Sequence, residues 1–169
     1  MQSNGVKTFY FEESASIPNN PDLPVLLYEG AFKDNPEQSE RVFNEHNWRN
    51  SWQGGVFDYH HFHSNTHEVL GVVSGTAELI LGGESGKKVE VHPGDVVVLP
   101  AGTGHKRLTA SEDFKVAGAY PAGKDHNLKT GENGERNLLF SEIKEVGIPS
   151  QDPVYGEDGP LLAHWKIEE

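Results

Sequence analysis

Two histidines near the middle of the chain have a spacing that suits metal ligands. His61 and His63 are two residues apart, so on a β-strand both imidazoles leave the same face. After four intervening residues the chain reaches Glu68, which opens the next apolar run and can oppose the histidine pair across a hairpin. Two nitrogens and a carboxylate oxygen form a donor set for a divalent transition metal.

A third histidine lies far along the chain, behind a glycine-rich turn. Gly102, Thr103 and Gly104 lead into His105, and in an antiparallel barrel the strand that starts there can cross beside the first pair. The chain contains no cysteine, so disulfides, thiolate ligands and cysteine nucleophiles are excluded, and a bound metal must use nitrogen and oxygen ligands. The sequence therefore predicts one metal site, with His105 as its fourth ligand.

Four further side chains could act on a bound molecule. His67 adjoins Glu68 and could serve as a ligand or a base, although Glu68 fits the carboxylate position better. Tyr59 and Arg107 each lie two residues from a predicted ligand, so both share the inward face if alternation holds and are candidates to orient a substrate. A core tyrosine and a rim arginine are the alternative. Tyr120 is expected to line the same cavity or simply to pack.

Other histidines and tryptophans are expected to have structural roles. By alternation His60 points away from the metal site. The two tryptophans of WRNSW are expected to cover one end of the barrel, with a place in the wall of its entrance as the alternative. The histidines outside the site region are expected at the surface or as caps, and these are His46, His92, His126 and His164.

The stretch from Gly54 to Pro121 must supply the strands that position these residues. It contains seven short apolar or alternating runs separated by glycine-rich turns. Seven strands in so short a stretch predict antiparallel hairpins, because each parallel crossover needs about a dozen residues or more. The sequence therefore predicts an all-β fold, a closed or sandwiched barrel in which nearly every strand is paired.

One domain is expected, with three parts. Residues 1–53 are expected to form an extended, proline-rich arm and a short helix from Asp34, both packed on the barrel. Residues 54–121 form the core barrel. Residues 122–169 are expected to form a polar loop, a short helix that ends near Gly147, and a tail against the barrel.

The motifs resemble those of the cupin superfamily. The first cupin motif, G-x5-H-x-H-x4-E-x6-G, is met at every fixed position, namely Gly55, His61, His63, Glu68 and Gly75. The second, G-x5-P-x-G-x2-H-x3-N, is met at Gly94, Pro100, Gly102 and His105, with Thr109 in place of the usual asparagine. Further segments, such as IPNNPDLPVLLYEGAF and DPVYGEDGPLL, look like those of single-domain cupins of the YjlB type.

This resemblance implies a double-stranded β-helix, or jelly-roll barrel, with short flanking helices. It also implies that the matching residues bind one iron, manganese, nickel, zinc or copper ion inside the barrel. Cupins commonly form dimers, and the apolar segment PVLLYEG, expected on an outer sheet, could pair with a second copy. A homodimer is therefore expected.

The composition argues against nucleic acid and membranes as partners. The net charge of −12 comes from 26 acidic and 14 basic residues, without a basic cluster, so nucleic acid is not an expected partner. No apolar stretch approaches the roughly 20 residues of a membrane span, and the first residues lack the pattern of a secretion signal. A cytoplasmic protein is expected.

Two classes of function remain open. The first is a small-molecule metalloenzyme: a dioxygenase with iron, or an isomerase, lyase or decarboxylase with manganese, nickel or zinc as a Lewis acid. The alternative is a non-catalytic module in which the metal holds the barrel or captures a small ligand. A metal-free, sugar-type isomerisation or epimerisation is a third possibility, which the four-ligand set argues against.

Overall fold

The computed structural model describes residues 6–14, 17–131 and 136–166. It confirms the all-β prediction, because these parts of the chain form two antiparallel sheets and a few short helices. The strands are β1 (Val6–Phe9), β2 (Val25–Tyr28), β3 (Trp48–Gly54), β4 (Glu68–Ser74), β5 (Ala77–Leu81), β6 (Lys87–Val91), β7 (Val96–Leu99), β8 (His105–Ala110) and β9 (Lys115–Pro121).

The two sheets enclose one apolar core. The larger sheet has the order β1-β2-β7-β4-β9-β3 and the smaller one the order β6-β5-β8. Strand alternation sends Leu70 and Val72 of β4 into the space between the sheets, where they meet Leu79 and Leu81 of β5. Val69, the residue before Leu70, belongs to a second cluster on the outer face of the larger sheet. The metal-site residues lie at the inner face.

Three short helices flank the strands in the described parts of the chain. A 3-10 turn, Pro36–Gln38, leads into α1 (Ser39–Glu45), as the proline at the first helical position predicts. The other two helices are α2 (Arg136–Glu145) and α3 (Pro160–His164). None of the helices in the described ranges is long and apolar enough to cross a membrane.

The apolar PVLLYEG segment does not lie exposed on an outer sheet. Its strand, β2, pairs with β1 on one side and β7 on the other, and all four of its residues are buried. Leu161 and Trp165 from the end of the chain belong to the apolar cluster that includes Leu26. This strand therefore offers no exposed apolar surface to a second copy, and the homodimer stays a prediction from the resemblance to cupins.

The first 53 residues thus contribute strands as well as an arm, since β1, β2 and nearly all of β3 lie within them. The division into three parts at residues 54 and 122 stays a prediction. The same holds for the cytoplasmic location and for the expected lack of binding to nucleic acid.

A β-bulge in β3 separates its two tryptophans. Trp48 pairs with Pro121, but Trp52 pairs with Gly118, so one extra residue lies between Arg49 and Trp52. Because side chains alternate along a strand, one extra residue moves all later side chains to the other face. Trp48 is therefore buried in the outer core cluster, whereas Trp52 lies on the inner face.

Candidate metal centre

The four predicted ligands converge although they come from three separate segments. His61 forms an isolated antiparallel bridge with His105, the first residue of β8: each backbone N–H donates to the other's carbonyl, at 3.2 and 2.9 Å. His63 follows two residues later, and Glu68 is the first residue of β4. All four side chains are buried.

Their ligand atoms lie within reach of one ion. The nitrogens that His61, His63 and His105 offer all lie within 4.8 Å of one another. Glu68 Oε1 lies 3.2 Å from His63 Nε2 and 3.4 Å from His105 Nε2. Ligand atoms about 2.1 Å from one metal ion are separated by about 3.0 to 3.4 Å at octahedral or tetrahedral angles. The two distances to Glu68 match that range.

Backbone carbonyls orient all three imidazoles. His61 Nδ1 donates to Tyr59 O, two residues earlier (3.0 Å), and His105 Nδ1 donates to Thr103 O (3.1 Å). His63 Nδ1 donates to the carbonyl of Asn127, which lies 64 residues away in sequence. A carbonyl only accepts, so each Nδ1 carries a hydrogen. In a neutral ring Nε2 then presents a lone pair to the site.

The carboxylate of Glu68 adds a further electron-rich atom. Its Oε2 accepts a hydrogen bond from Tyr120 Oη at 3.0 Å, and Tyr120 Oη accepts one from Trp52 Nε1 at 2.9 Å. Its Oε1 is buried without a well-aligned hydrogen-bond donor. Lone pairs on nitrogen and oxygen thus face one another in a buried place, which is unfavourable without a cation. The residues fit a divalent transition metal bound by three nitrogens and one oxygen.

Burial and mutual charge shift the titration of these groups. Burial, with the neighbouring His105, lowers the pKa of His61 to about 3. Burial opposes ionisation of Glu68, but the adjoining imidazoles of His105 and His63, when they are protonated, outweigh it and lower the pKa of the carboxyl group. Burial likewise opposes protonation of His63, but the Glu68 carboxylate outweighs it and raises the pKa of that imidazole. A proton and a metal ion therefore compete for His63 Nε2.

The four residues form one end of a cavity of about 380 Å³, which is within the usual size range of small-molecule sites. Its other walls are mostly apolar or aromatic. Besides the four ligand residues, the lining consists of Asn50, Ser51, Trp52, Gly55, Val56, Phe57, Leu70, Tyr120 and His126.

Of the predicted substrate-orienting residues, only Tyr120 lines the cavity. Tyr59 is 41% exposed and stacks on the outer side of the site against Phe57, with ring centroids 5.0 Å apart. Arg107 donates to Val56 O at 3.3 Å and lies 3.8 Å from a carboxylate oxygen of Asp58. Neither Tyr59 nor Arg107 is part of the cavity wall.

His67 lies outside the cavity as well. Its Nδ1 accepts the backbone N–H of Ala101 and its Nε2 donates to Gly147 O, both at 2.9 Å. Its ring packs on Trp165, and burial lowers its pKa to about 4. Because both nitrogens have backbone partners, the structure gives His67 a structural position and not that of a ligand or a base.

Thr109, which stands where cupins usually have asparagine, pairs with Glu78 of β5 on the exposed part of β8. It does not line the cavity, so this departure does not alter the candidate metal centre.

Sequence reasoning predicted the loop that follows β9 but missed its contact with the site. His126, expected at the surface or as a cap, stacks on Tyr120 with ring centroids 4.4 Å apart and forms part of the cavity wall. The backbone groups of Lys129 exchange two hydrogen bonds with Phe62, both at 2.9 Å. The loop thus runs beside the histidine segment. The one available signal was that β9 ends at the site with Tyr120.

A polar network fixes this loop to the ligand segment. The Asn127 side chain accepts the backbone N–H of Ser64 (2.9 Å) and donates to Ser64 Oγ (2.9 Å). Ser64 Oγ donates in turn to Glu142 of α2 at 2.5 Å. The orientation of His63 therefore depends on a helix and a loop from the last third of the chain.

The sequence and fold are similar to those of known proteins. Residues 47–116 match the cupin domain family. The chain is 46% identical over 159 residues to the uncharacterized protein YjlB of Bacillus subtilis strain 168. The aligned region covers 94% of this chain and 96% of that protein.

Two solved structures are more distant. An acireductone dioxygenase from Bacillus anthracis, with a cadmium ion in its active centre, is 19% identical with a TM-score of 0.40, over 74% of this chain and 82% of that one. The TDP-fucose-3,4-ketoisomerase WlaRA from Campylobacter jejuni is 13% identical with a TM-score of 0.39, over 46% of this chain and 63% of that one. Likenesses of this size say nothing about the activity of this chain. The domain match and the nearly full-length similarity to YjlB instead establish that the chain belongs to the cupin family.

Proposed function

We propose that this cupin is a mononuclear metal-dependent enzyme that acts on a small molecule, with His61, His63, Glu68 and His105 as the ligands. The observation that carries the proposal is the buried Oε1 of Glu68, which faces imidazole nitrogens instead of hydrogen-bond donors. A divalent transition metal bound there supplies Lewis-acid polarisation of a substrate oxygen or, with iron, a redox centre for dioxygen.

The residues of the chain have distinct tasks in this proposal. The three carbonyl-bound Nδ1 atoms keep each Nε2 directed at one point. Tyr120 holds the second oxygen of Glu68, and burial with the nearby Glu68 charge raises its pKa, so it stays a donor. Outside the four ligands, the titratable residues of the described cavity wall are Tyr120 and His126. These two residues are the candidates for acid–base assistance.

The non-catalytic module remains the competing function. It is favoured by the position of His67, the base suggested by the sequence, whose two nitrogens bond to the backbone away from the cavity. In that case the cavity binds a small molecule that leaves unchanged.

Metal content tests the proposal first. Protein purified without chelator, or reconstituted, is expected to hold about one transition metal ion per chain, and His61→Ala and His105→Ala to lose most of it. His92→Ala, at an exposed position outside the cavity, is the matched control. Wild-type protein without metal after reconstitution contradicts the proposal.

Turnover separates the two functions. Reduced, iron-loaded protein is monitored for dioxygen consumption over a panel of small oxygen-bearing molecules, and zinc- or manganese-loaded protein for their isomerisation or cleavage. Consumption identifies an oxygenase. Saturable binding throughout the panel without any product favours the non-catalytic module.

A further inference from the structure

We infer that the molecule bound in this cavity carries a polar, oxygen-bearing head and an uncharged, apolar body, and that it bears no phosphate. The inference rests on the proposed function and adds the class of substrate to it. It is carried by the order of side chains on the inner face of the larger sheet.

Successive rows of this sheet face differ in polarity. Glu68 and Tyr120 form one row, joined by their hydrogen bond. Two residues further along each strand, the next row consists of Leu70, Gly118 and Trp52, which are paired across β4, β9 and β3. Residues two apart lie on the same face of a strand. The cavity therefore passes directly from a polar end to an apolar wall.

The structure provides a fixed seat for the indole of Trp52. A Cβ at Gly118 would lie 2.5 Å from Cε2 and Cζ2 of Trp52, so only glycine allows the ring to lie this close to β9. The bulge between Arg49 and Trp52 turns this side chain inward. The indole N–H is already bonded to Tyr120 Oη, so the ring offers a bound molecule its apolar surface.

Phe57 and Val56 extend the apolar wall beyond Trp52. Phe57 lines the cavity yet is 50% exposed, which is unfavourable for so large an apolar side chain and is relieved if a ligand covers it.

A phosphate would find no cationic side chain here. None of the described residues that line the cavity is a lysine or an arginine. Arg107, which sequence reasoning placed at the substrate, is bonded to Val56 O and lies near Asp58. A phosphate dianion in a partly buried site needs such partners, and the net charge of −12 further disfavours polyanions.

Three probes with related heads test the inference on Co²⁺-loaded protein. Pyruvate supplies the 2-oxo acid head alone, benzoylformate adds an aromatic body, and phosphoenolpyruvate carries a phosphate on the oxygen that forms the 2-oxo group of pyruvate. Binding is followed by calorimetry and by the visible absorption of the bound Co²⁺. Benzoylformate is expected to bind at least about tenfold more tightly than pyruvate, because its ring leaves water for the apolar wall. Phosphoenolpyruvate is expected to bind no more tightly than pyruvate.

Variants locate the preference in the wall. Trp52→Ala is expected to reduce the benzoylformate preference to less than about threefold, whereas Trp52→Phe keeps most of it. Phe57→Ala is a second test of the apolar wall. Phe57 is half-exposed and its side chain makes no hydrogen bond, so this change removes apolar surface alone. Tyr155→Ala is the matched control, since Tyr155 is 48% exposed and lies outside the cavity.

The possible failures are distinguishable. Equal affinity for pyruvate and benzoylformate, tightest binding of phosphoenolpyruvate, or an unchanged preference in both Trp52→Ala and Phe57→Ala overturns the substrate class while the metal site stands. Protein that loads no Co²⁺ overturns the proposed function and this inference with it.

Discussion

Two of the carboxyl groups buried in the described part of the chain, those of Asp152 and Glu68, have very different surroundings. Asp152 is fully buried and receives four hydrogen bonds from its own chain. Tyr28 Oη (2.5 Å) and Leu161 N (3.0 Å) donate to one oxygen, and Val154 N (2.7 Å) and Tyr155 N (3.0 Å) donate to the other. This carboxyl group ties the last segment of the chain to β2.

Glu68 is equally inaccessible, at 3% exposure. One of its oxygens has a donor, Tyr120, and the other faces the imidazoles of His63 and His105. A fully satisfied buried acid stabilises a fold, whereas a partly satisfied one among lone pairs is costly unless a cation joins it. The comparison separates a structural carboxyl group from one that fits a ligand.

The largest effect is expected from Glu68→Gln. This change keeps the shape of the side chain but removes the charged oxygen, so affinity for Zn²⁺ or Co²⁺ should fall more than about a hundredfold. The free energy of unfolding of the metal-free protein should change by no more than about 1 kcal/mol at pH 8. Chelator competition and denaturant titration measure the two quantities. Glu90→Gln, on exposed β6, is the control, and a Glu68→Gln protein with normal affinity would remove Glu68 from the ligand set.

Asp152→Asn should lower stability and leave metal affinity nearly unchanged, the reverse of Glu68→Gln. An amide nitrogen placed among four donors leaves some of them unpaired, so the free energy of unfolding should fall by about 2 to 3 kcal/mol. Metal affinity should stay within about twofold, since no bond to the metal centre is lost. Exposed Asp158→Asn serves as the control and should stay within about 0.5 kcal/mol. Loss of metal together with stability would show that the two carboxyl groups are coupled.

A smaller effect is expected from Tyr28→Phe, which removes one donor to Asp152 and should cost about 1 to 1.5 kcal/mol at pH 7. Burial and the nearby Asp152 raise the pKa of Tyr28 above its ordinary value of 10.0. Above pH 10 the unfolded chain therefore loses this proton while the folded chain keeps it, and wild-type stability falls.

The difference in the free energy of unfolding between wild type and Tyr28→Phe should shrink by about 1.4 kcal/mol per pH unit above pH 10. Urea titrations at pH 7 and pH 11 measure it, with Tyr10→Phe as an exposed control. A difference that is constant with pH would mean that Tyr28 is not held protonated by the fold.

The smallest effect is expected from Ser64→Ala. It removes the hydroxyl group between Asn127 and Glu142 and so loosens the carbonyl that orients His63. Affinity for Co²⁺ should fall about three- to tenfold, with an altered visible absorption spectrum. Ser39→Ala, a buried serine bonded to Pro36 O, should change neither. An unchanged spectrum in Ser64→Ala would show that the loop does not position His63.

Three of the four residues at the centre could be read from the sequence because their spacing is local, whereas His105 was recognised by its glycine-rich turn and the second cupin motif. The predicted strand around His61 and His63 is an extended segment with isolated bridges, and there, as at the start of β4, side chains obey simple alternation. Alternation stops at turns, which is why His67, one residue before Glu68, could not be assigned. Its backbone partners, Ala101 and Gly147, are brought to it only by the fold.

The parts that the sequence could not supply depend on long-range contacts or on a single inserted residue. The bulge in β3 turns Trp52 to the cavity, and no pattern in WRNSWQG marks that extra residue. His126 and Asn127 lie in a loop without periodicity, so their approach to Tyr120 and His63 was invisible. The burial of β2 likewise depends on Leu161 and Trp165, more than a hundred residues away.

The bond between His63 and the carbonyl of Asn127 has a consequence for the order of events during protein synthesis. A ribosome delivers all four ligand residues before residue 127, since the last of them, His105, precedes it by 22 positions. A nascent chain that has reached β9 thus holds the complete ligand set with one imidazole still free to rotate. In the proposed function, a metal ion would therefore meet a fully oriented ligand set only after the last third of the chain has docked.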